Sequence, residues 1–248
     1  MLTMKTVLII GAMHEETALL EKALGGQAKR KTGPFGYVQG KIGNLGIYLC
    51  TSGVGKVNAA GATAAMIERC HPGLVINTGC AGAYAGSGLD IGGLAVASEE
   101  ILGDEGVLTS AGWLDLKKVK MPYFEEGGQR YYNEIPLAVA AADKAMLLAG
   151  NCGIKLARGR FITVSTCSGT RAKGDELACR FQAISENMEG AAVALTCIRY
   201  GIDCLEIRGI SNHVEERNMK KWDIPLAVET AQRFVIKYIE ESCTSAPD

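Results

Sequence analysis

Short runs of apolar, β-branched residues alternate along the chain with segments of helical periodicity, and this alternation limits the folds that it can adopt. Residues 6–10 form such a run, and helical periodicity follows over about residues 15–24 until Gly25 and Gly26 end it. Strands that alternate with helices build a sheet covered by helices on both faces. The pattern therefore predicts the α/β class, with a three-layer αβα sandwich around a central mixed β-sheet.

The rest of the chain continues this alternation. We expect further strands over about residues 37–41, 46–51, 74–78, 94–98, 160–166 and 203–210. We expect further helices over about residues 56–70, 135–149, 190–200 and 224–240. Functional residues of such folds lie in loops at strand ends, and the candidate loops are residues 11–16, 79–82, 165–170, 186–190 and 210–216.

Length and charge narrow the class of protein further. A chain of 248 residues without a Pro/Ser-rich linker predicts a single domain over residues 1–248. The 26 Lys and Arg residues are interspersed with 27 Asp and Glu residues, which argues against a nucleic acid partner. The apolar run at residues 7–13 is too short to cross a membrane, so we expect no membrane partner.

The cysteines, histidines and glycine-rich segments match no familiar cofactor or metal motif. The nine cysteines lack a C-x-x-C pair and lie mostly in apolar stretches, which favours buried thiols in a reducing cytoplasm. The three histidines lack H-x-x-x-H spacing, so we expect no metal. Residues 52–57 lack P-loop spacing, residues 86–88 lack the dinucleotide fingerprint, and no G-x-S-x-G elbow occurs. ATP, NAD and acyl-serine chemistry are therefore not expected.

Five short motifs occur in one order over nearly the whole chain. They are GAMHEE at residues 11–16, SGVGKVNAA at 52–60, NTGCAG at 77–82, ENMEGAA at 186–192 and RGISN at 208–212. Together they are similar to the motifs of the nucleoside phosphorylase/nucleosidase superfamily. The nearest branches are the methylthioadenosine/S-adenosylhomocysteine nucleosidases and the futalosine hydrolases, and residues 98–104 and 209–224 look more like the latter. The resemblance implies a nucleoside phosphorylase-like fold without a cofactor.

The resemblance also implies a reaction, the hydrolysis of futalosine to hypoxanthine and dehypoxanthine futalosine in menaquinone biosynthesis. The alternative enzyme is a nucleosidase for methylthioadenosine and S-adenosylhomocysteine, or for aminofutalosine. A purine-nucleoside binding protein without turnover is the alternative of another class. By analogy with the family, we expect a homodimer or larger homo-oligomer whose small-molecule partners are a purine nucleoside and water.

Hydrolysis of an N-glycosidic bond passes through a cationic, oxocarbenium-like sugar, so the site needs a negative charge beside the ribose. Glu189 suits this role because its carboxylate can accept hydrogen bonds from both ribose hydroxyls. Met188 offers the sugar an apolar, polarisable surface. In the alternative interpretation, Glu189 only stabilises the N-terminus of the helix that follows it.

Glu16 is the candidate base that activates water. It occupies the catalytic glutamate position of the family motif, after His14 and Glu15. Two adjacent carboxylates at this strand end would repel phosphate, which favours hydrolysis over phosphorolysis. In the alternative interpretation, both glutamates are acids in the first turn of a helix.

Asn212 is the candidate catalytic residue on the side of the leaving base. Adenine-specific nucleosidases of the family have an aspartate at this position, which shares a proton with N7. The amide of an asparagine can instead donate to N7 or to a 6-oxo group, and this predicts a 6-oxopurine such as hypoxanthine. In the alternative interpretation, Asn212 is a turn or N-cap residue.

The resemblance assigns further residues to the ribose and the base. These substrate-binding candidates are Met13, Cys80, Ala81, Gly82, Thr166, Cys167 and Asn187. Cys80 replaces a serine of the methylthioadenosine nucleosidases, and no His or cation beside it in the sequence would make it a nucleophile. Trp113 and Tyr123 either stack on the 5′ group of the nucleoside or pack in the core or a dimer interface.

Overall fold

A ten-stranded mixed sheet forms the centre of the structure, a computed structural model that describes residues 6–244. The strands in chain order are β1 (Thr6–Gly11), β2 (Gly25–Thr32), β3 (Phe35–Ile42), β4 (Leu45–Thr51), β5 (Leu74–Ala83), β6 (Leu94–Leu102), β7 (Val107–Thr109), β8 (Gly112–Leu114), β9 (Phe124–Glu126), β10 (Gln129–Tyr131), β11 (Glu134–Pro136), β12 (Leu156–Thr163), β13 (Ala183–Asn187) and β14 (Asp203–His213). The sheet order is β11-β6-β12-β13-β5-β1-β4-β3-β2, and β14 pairs with both β5 and β6. Strands β7–β10 form two separate hairpins.

Helices cover both faces of this sheet. They are α1 (Ala18–Ala23), α2 (Lys56–Cys70), α3 (Val139–Asn151), α4 (Arg171–Phe181), α5 (Gly190–Arg199) and α6 (Ile224–Thr244). Successive side chains of β1 point to opposite faces, so Val7 and Ile9 pack towards α3 and α6 while Leu8 and Ile10 pack towards α2 and α5. The predicted three-layer α/β fold is confirmed.

The parallel pairing of β5 with β1 and β14 determines where polar side chains can gather. β14 pairs with β5 in parallel from Asp203 to His213, and β1 pairs with β5 in parallel on the other side. Since parallel strands end at the same edge of a sheet, the residues that follow or end these strands lie side by side. β13 joins the same edge because it pairs antiparallel with the last residues of β5.

Two candidate loops turn out to be strand. Residues 79–82 belong to β5 and residues 210–213 to β14, because these strands stay paired with each other beyond the apolar runs that the pattern detects. The predicted helix over residues 15–24 is a 3₁₀ turn at His14–Glu16 followed by α1. The predicted helix at residue 135 begins at Val139, because β11 occupies the residues before it.

The sequence did not predict β2, α4 or β13, nor the short strands β7–β11. β2 is the outermost strand and is mostly exposed, so it lacks the alternation of a half-buried strand. α4 is polar and contains Gly174, which weakens its helical pattern. β13 is only five residues long, and its polar residues Ser185 and Glu186 are buried by neighbouring strands.

The sequence predicted no regular structure for the segment between β6 and β11. The buried side chain of Asn133 stabilises this segment. Asn133 donates through Nδ2 to the carbonyl oxygens of Leu102 and Glu105, at 2.8 and 2.7 Å. Its Oδ1 accepts from the backbone nitrogen of Leu116 at 2.8 Å. The amide therefore satisfies three backbone groups that lack partners in regular structure.

α6 is the longest helix, and its sequence is amphipathic. Within residues 6–244, no helix has the length and apolar character needed to cross a membrane.

We expect Asn133→Ala to lower the free energy of unfolding by about 1–3 kcal/mol, because it leaves buried backbone groups without partners. The same substitution at exposed Asn151, at the end of α3, is the matched control and should change stability by less than about 0.5 kcal/mol. Urea denaturation followed by circular dichroism measures both values. Equal losses in the two variants would contradict the role assigned to Asn133.

Candidate active site

A cleft of about 160 Å³ lies at the edge where β1, β5, β13 and β14 end. Its lining residues are Ala12, Met13, Glu16, Val54, Cys80, Ala81, Gly82, Cys167, Ser168, Glu186, Asn187, Met188, Glu189, Ser211, Asn212 and Trp222. All site residues predicted from the sequence except Thr166 are in this set, although their individual roles stay predictions.

Glu16 is buried beside the cleft, and three backbone groups orient its carboxylate. Oε2 accepts from the backbone nitrogens of Ala12 and Met13 at 2.8 and 3.0 Å, and Oε1 accepts from that of Cys80 at 2.9 Å. The contact with Met13 belongs to a capping box, so Glu16 also has the structural role of the alternative interpretation. A carboxylate offers about four acceptor positions, so one remains for a water molecule in the cleft.

Glu189 is also buried, and its carboxylate makes no capping hydrogen bond to α5. Oε1 accepts from the backbone nitrogen of Gly55 at 2.8 Å, and Oε2 lies 3.7 Å from Nη1 of Arg208. Burial raises the pKa of Glu189, and the positive charge of Arg208 opposes this shift. The side chain therefore faces the cleft and the buried cation instead of the helix that it precedes.

Arg208 is 1% exposed and connects the cleft to a second pair of buried acids. Its Nε donates to Oε1 of Glu206 at 2.8 Å. Burial and the nearby Glu206 carboxylate raise the pKa of Glu100 well above its usual range. The guanidinium of Arg208 donates to Glu206, so its contact with Glu189 is the longer of the two.

Asn212 lies beside the cleft at a bulge in β14. Ile210 pairs with Ala81 and Asn212 with Gly82, which leaves Ser211 as the additional residue. Nδ2 of Asn212 donates to the carbonyl oxygen of His213 at 3.0 Å, and Oδ1 accepts from the hydroxyl of Ser211 at 2.8 Å. The carbonyl can only accept, so these contacts fix which end of the amide carries the NH₂ group. One hydrogen of that group remains free for a ligand.

The two cysteines of the cleft are thiols with low reactivity. Burial and the neighbouring Glu16 charge raise the pKa of Cys80 to about 12, and burial also raises the pKa of Cys167. Thiols are poor nucleophiles in the protonated form. The geometry therefore gives no support to a cysteine nucleophile. Among residues 6–244, no three His, Cys, Asp or Glu side chains are grouped to hold a metal ion.

Thr166 lies outside the cleft, and Trp113 and Tyr123 pack against the core, one of the two alternatives given for them. Thr166 lines a neighbouring pocket together with Trp113, whose ring packs edge-on against Phe181. The hydroxyl of Tyr123 donates to Glu105. The aromatic side chain that lines the cleft is Trp222, which belongs to the segment 209–224 that resembles the futalosine hydrolases but was not predicted as a site residue.

The fold and the acids at this strand edge define a member of the phosphorylase superfamily, to which the chain belongs because it matches that family model over residues 6–240. It is 34% identical over 210 residues to the futalosine hydrolase of Thermus thermophilus, covering 84% of this chain and 88% of that protein. It is 30% identical over 207 residues to the 5′-methylthioadenosine/S-adenosylhomocysteine nucleosidase of Anoxybacillus flavithermus, covering 83% and 84%.

A solved structure shows the same relationship. The methylthioadenosine/S-adenosylhomocysteine nucleosidase of Neisseria meningitidis, in complex with methylthio-immucillin-A, matches with a TM-score of 0.83 at 25% identity, covering 96% of this chain and 99% of that one. These relatives are nucleosidases, which are N-glycosyl hydrolases, the enzyme class that the sequence predicts. The two kinds of nucleosidase match the chain at similar identity.

The raised pKa of Glu189 predicts a pH dependence. The predicted role of Glu189 in ribose binding requires the ionised carboxylate, so we expect this binding to be lost as the pH falls through the raised pKa. We expect kcat/KM for a purine nucleoside to fall at low pH with an apparent pKa above about 4.3, the usual pKa of glutamate. The affinity for a free purine base, which lacks ribose, is the control and should not share this limb. A profile that stays flat to about pH 4 would contradict the assignment.

Proposed function

We propose that the chain hydrolyses the N-glycosidic bond of a purine nucleoside, with futalosine as substrate and hypoxanthine and dehypoxanthine futalosine as products in menaquinone biosynthesis. The observation that carries the proposal is the meeting of Glu16, Glu189 and the oriented amide of Asn212 around one cleft. Each of the three supplies a group that the reaction needs, and none of the steps needs a cofactor.

The sugar side of the reaction depends on the two acids. The Glu189 carboxylate accepts hydrogen bonds from the ribose hydroxyls, and its negative charge favours the cationic sugar that forms as the bond to the base breaks. Glu16 accepts a proton from the attacking water through its free acceptor position. The two carboxylates are near enough that the charge of Glu16 contributes to the raised pKa of Glu189. This concentration of negative charge suits a cation and water better than phosphate.

The base side depends on Asn212. Its remaining NH₂ hydrogen can donate to N7 or to the 6-oxo oxygen of a departing hypoxanthine. A 6-amino group would instead bring a second donor towards this hydrogen, and a buried mismatch of this kind costs roughly 1–3 kcal/mol. The orientation of the amide therefore supports a 6-oxopurine.

One observation favours a second candidate, a nucleosidase for methylthioadenosine or S-adenosylhomocysteine. A pocket beside Met188 is lined by Asp104 and Glu105, and Lys56 donates to both carboxylates at 2.7 Å. One cation leaves this pair with excess negative charge, which suits an uncharged or cationic 5′ substituent. A binding protein without turnover is less well supported, since binding alone has no need of Glu16.

We also propose that the enzyme acts in the cytoplasm as a homo-oligomer. All nine cysteines are free thiols, which suits a reducing compartment. The homo-oligomeric state is proposed by analogy with the superfamily to which the chain belongs. Sedimentation measurements on the purified protein would give the number of subunits.

The proposal is tested by incubating the protein with futalosine, inosine, methylthioadenosine and aminofutalosine without phosphate and measuring the released base. We expect hypoxanthine from futalosine, and Glu16→Gln should lower kcat by roughly 10²–10⁴-fold because it removes the general base. Glu15→Gln is the matched control, since Glu15 is exposed and outside the cleft. A strict requirement for phosphate, or a fully active Glu16→Gln variant, would contradict the mechanism.

Asn212→Asp should shift the preference towards 6-aminopurines. A carboxyl group at this position can accept from a 6-amino group, whereas it removes the NH₂ donor used by a 6-oxo group. We expect the ratio of kcat/KM for futalosine over aminofutalosine to fall by roughly tenfold to a hundredfold. An unchanged ratio would remove Asn212 from base recognition.

A further inference from the structure

A row of three residues crosses the sheet beneath the cleft. Gly82 of β5 pairs with Glu186 of β13 on one side and with Asn212 of β14 on the other. Residues paired in register on neighbouring strands point to the same face, and both side chains line the cleft. A Cβ atom on Gly82 would lie 3.2 Å from Nδ2 of Asn212. The same Cβ atom would lie 2.9 Å from Cγ2 of Val214, so a larger residue at position 82 would crowd Val214 and the Asn212 amide.

Glu186 is a buried acid that the proposed mechanism does not use. Its Oε1 accepts from the backbone nitrogen of Ser168 at 2.9 Å. Its Oε2 accepts from the hydroxyls of Tyr84 and Ser168 at 2.9 and 2.7 Å. Burying a carboxylate is costly unless donors surround it. Three of its roughly four acceptor positions are filled by protein donors, which leaves one position on a side chain that lines the cleft.

We propose that Glu186 determines base specificity by accepting the N1–H of a 6-oxopurine, while Asn212 donates to N7 or O6 of the same base. This inference rests on the proposed function and names the residue that completes its base site. Hypoxanthine has a hydrogen on N1, so it can donate to the carboxylate. Adenine has a lone pair on N1, which the carboxylate repels. The two residues on either side of Gly82 therefore discriminate in the same direction.

Anchoring the loop at Ser168 is the other role that these contacts allow for Glu186. A neutral acceptor would hold Ser168 and Tyr84 at a lower desolvation cost than a buried carboxylate. The two roles differ in a measurable way. A loop anchor affects all bases alike, whereas an acceptor for N1–H affects hypoxanthine and leaves adenine almost unchanged.

The experiment compares the affinities of free hypoxanthine and free adenine for the wild-type protein and Glu186→Gln by titration calorimetry. We expect Glu186→Gln to weaken hypoxanthine binding roughly tenfold to a hundredfold, because a charge-assisted hydrogen bond is lost. Adenine binding should stay level or improve, since the new amide can donate to N1. Glu126→Gln, which removes an exposed carboxylate outside the cleft, is the matched control and should preserve both affinities.

A second measurement needs only the wild-type protein and so does not depend on the folding of a variant. With ¹⁵N-labelled hypoxanthine bound, the N1–H proton should resonate downfield of its position in the free base and exchange slowly with water. A rapidly exchanging N1–H would overturn the inference, as would a Glu186→Gln variant that keeps the wild-type ratio of the two affinities.

The outcomes separate this inference from the proposed function. If the wild-type protein releases hypoxanthine from futalosine but the affinity ratio does not depend on Glu186, only the role of Glu186 is overturned. If the wild-type protein neither binds hypoxanthine nor releases it, the 6-oxopurine assignment and the inference are both overturned.

Discussion

The buried guanidinium of Arg208 is the charge on which the rest of the site depends. It pairs with Glu206 beneath the cleft and lies 3.7 Å from Glu189 beside it. Burial opposes its positive charge, but the surrounding carboxylates of Glu206, Glu189 and Glu16 raise its pKa above the usual value. Removing one partner of a buried ion pair typically costs about 3–5 kcal/mol because the other charge is left uncompensated. The fold can therefore keep several acids out of water only while this cation is present.

The hydrogen bonds of the sheet place the remaining groups. Parallel pairing of β5 with β1 and β14 brings three strand ends to one edge, and β13 adds a fourth from the opposite direction. The bulge at Ser211 then turns Asn212 into register with Gly82. Backbone geometry, and not side-chain contact alone, thus decides which residues face the same ligand. Loop residues such as Val54 and Trp222 close the remaining sides of the cleft.

Much of this arrangement could be predicted from the sequence, and the exceptions have physical reasons. The apolar run of β1 and the small-residue helix α2 were predicted with bounds that agree with the structure to within a residue. α4 is polar overall and β2 is exposed at the edge of the sheet, so neither has the apolar character by which an element is recognised in the sequence. The motifs led to Glu16 and Glu189 because their residue types match the chemistry.

The burial of Glu186 could not be predicted from the sequence. Its residue type alone predicts a solvated acid, since glutamate is seldom buried. Its burial depends on Tyr84 and Ser168, which are 102 and 18 positions away in the chain, and on strand pairing that no local pattern shows. Thr166 illustrates the reverse error. It is next to Cys167 in sequence but faces a different pocket.

The row of Glu186, Gly82 and Asn212 has a consequence for how such enzymes diverge. In the proposed mechanism the sugar chemistry depends on Glu16 and Glu189, whereas the groups proposed to bind the base are Glu186 of β13 and Asn212 of β14. After gene duplication, substitutions at Glu186 and Asn212 can therefore change which nucleobase the enzyme accepts. The residues that break the glycosidic bond need not change. Such a layout allows one ancestral scaffold to supply enzymes to unrelated metabolic routes.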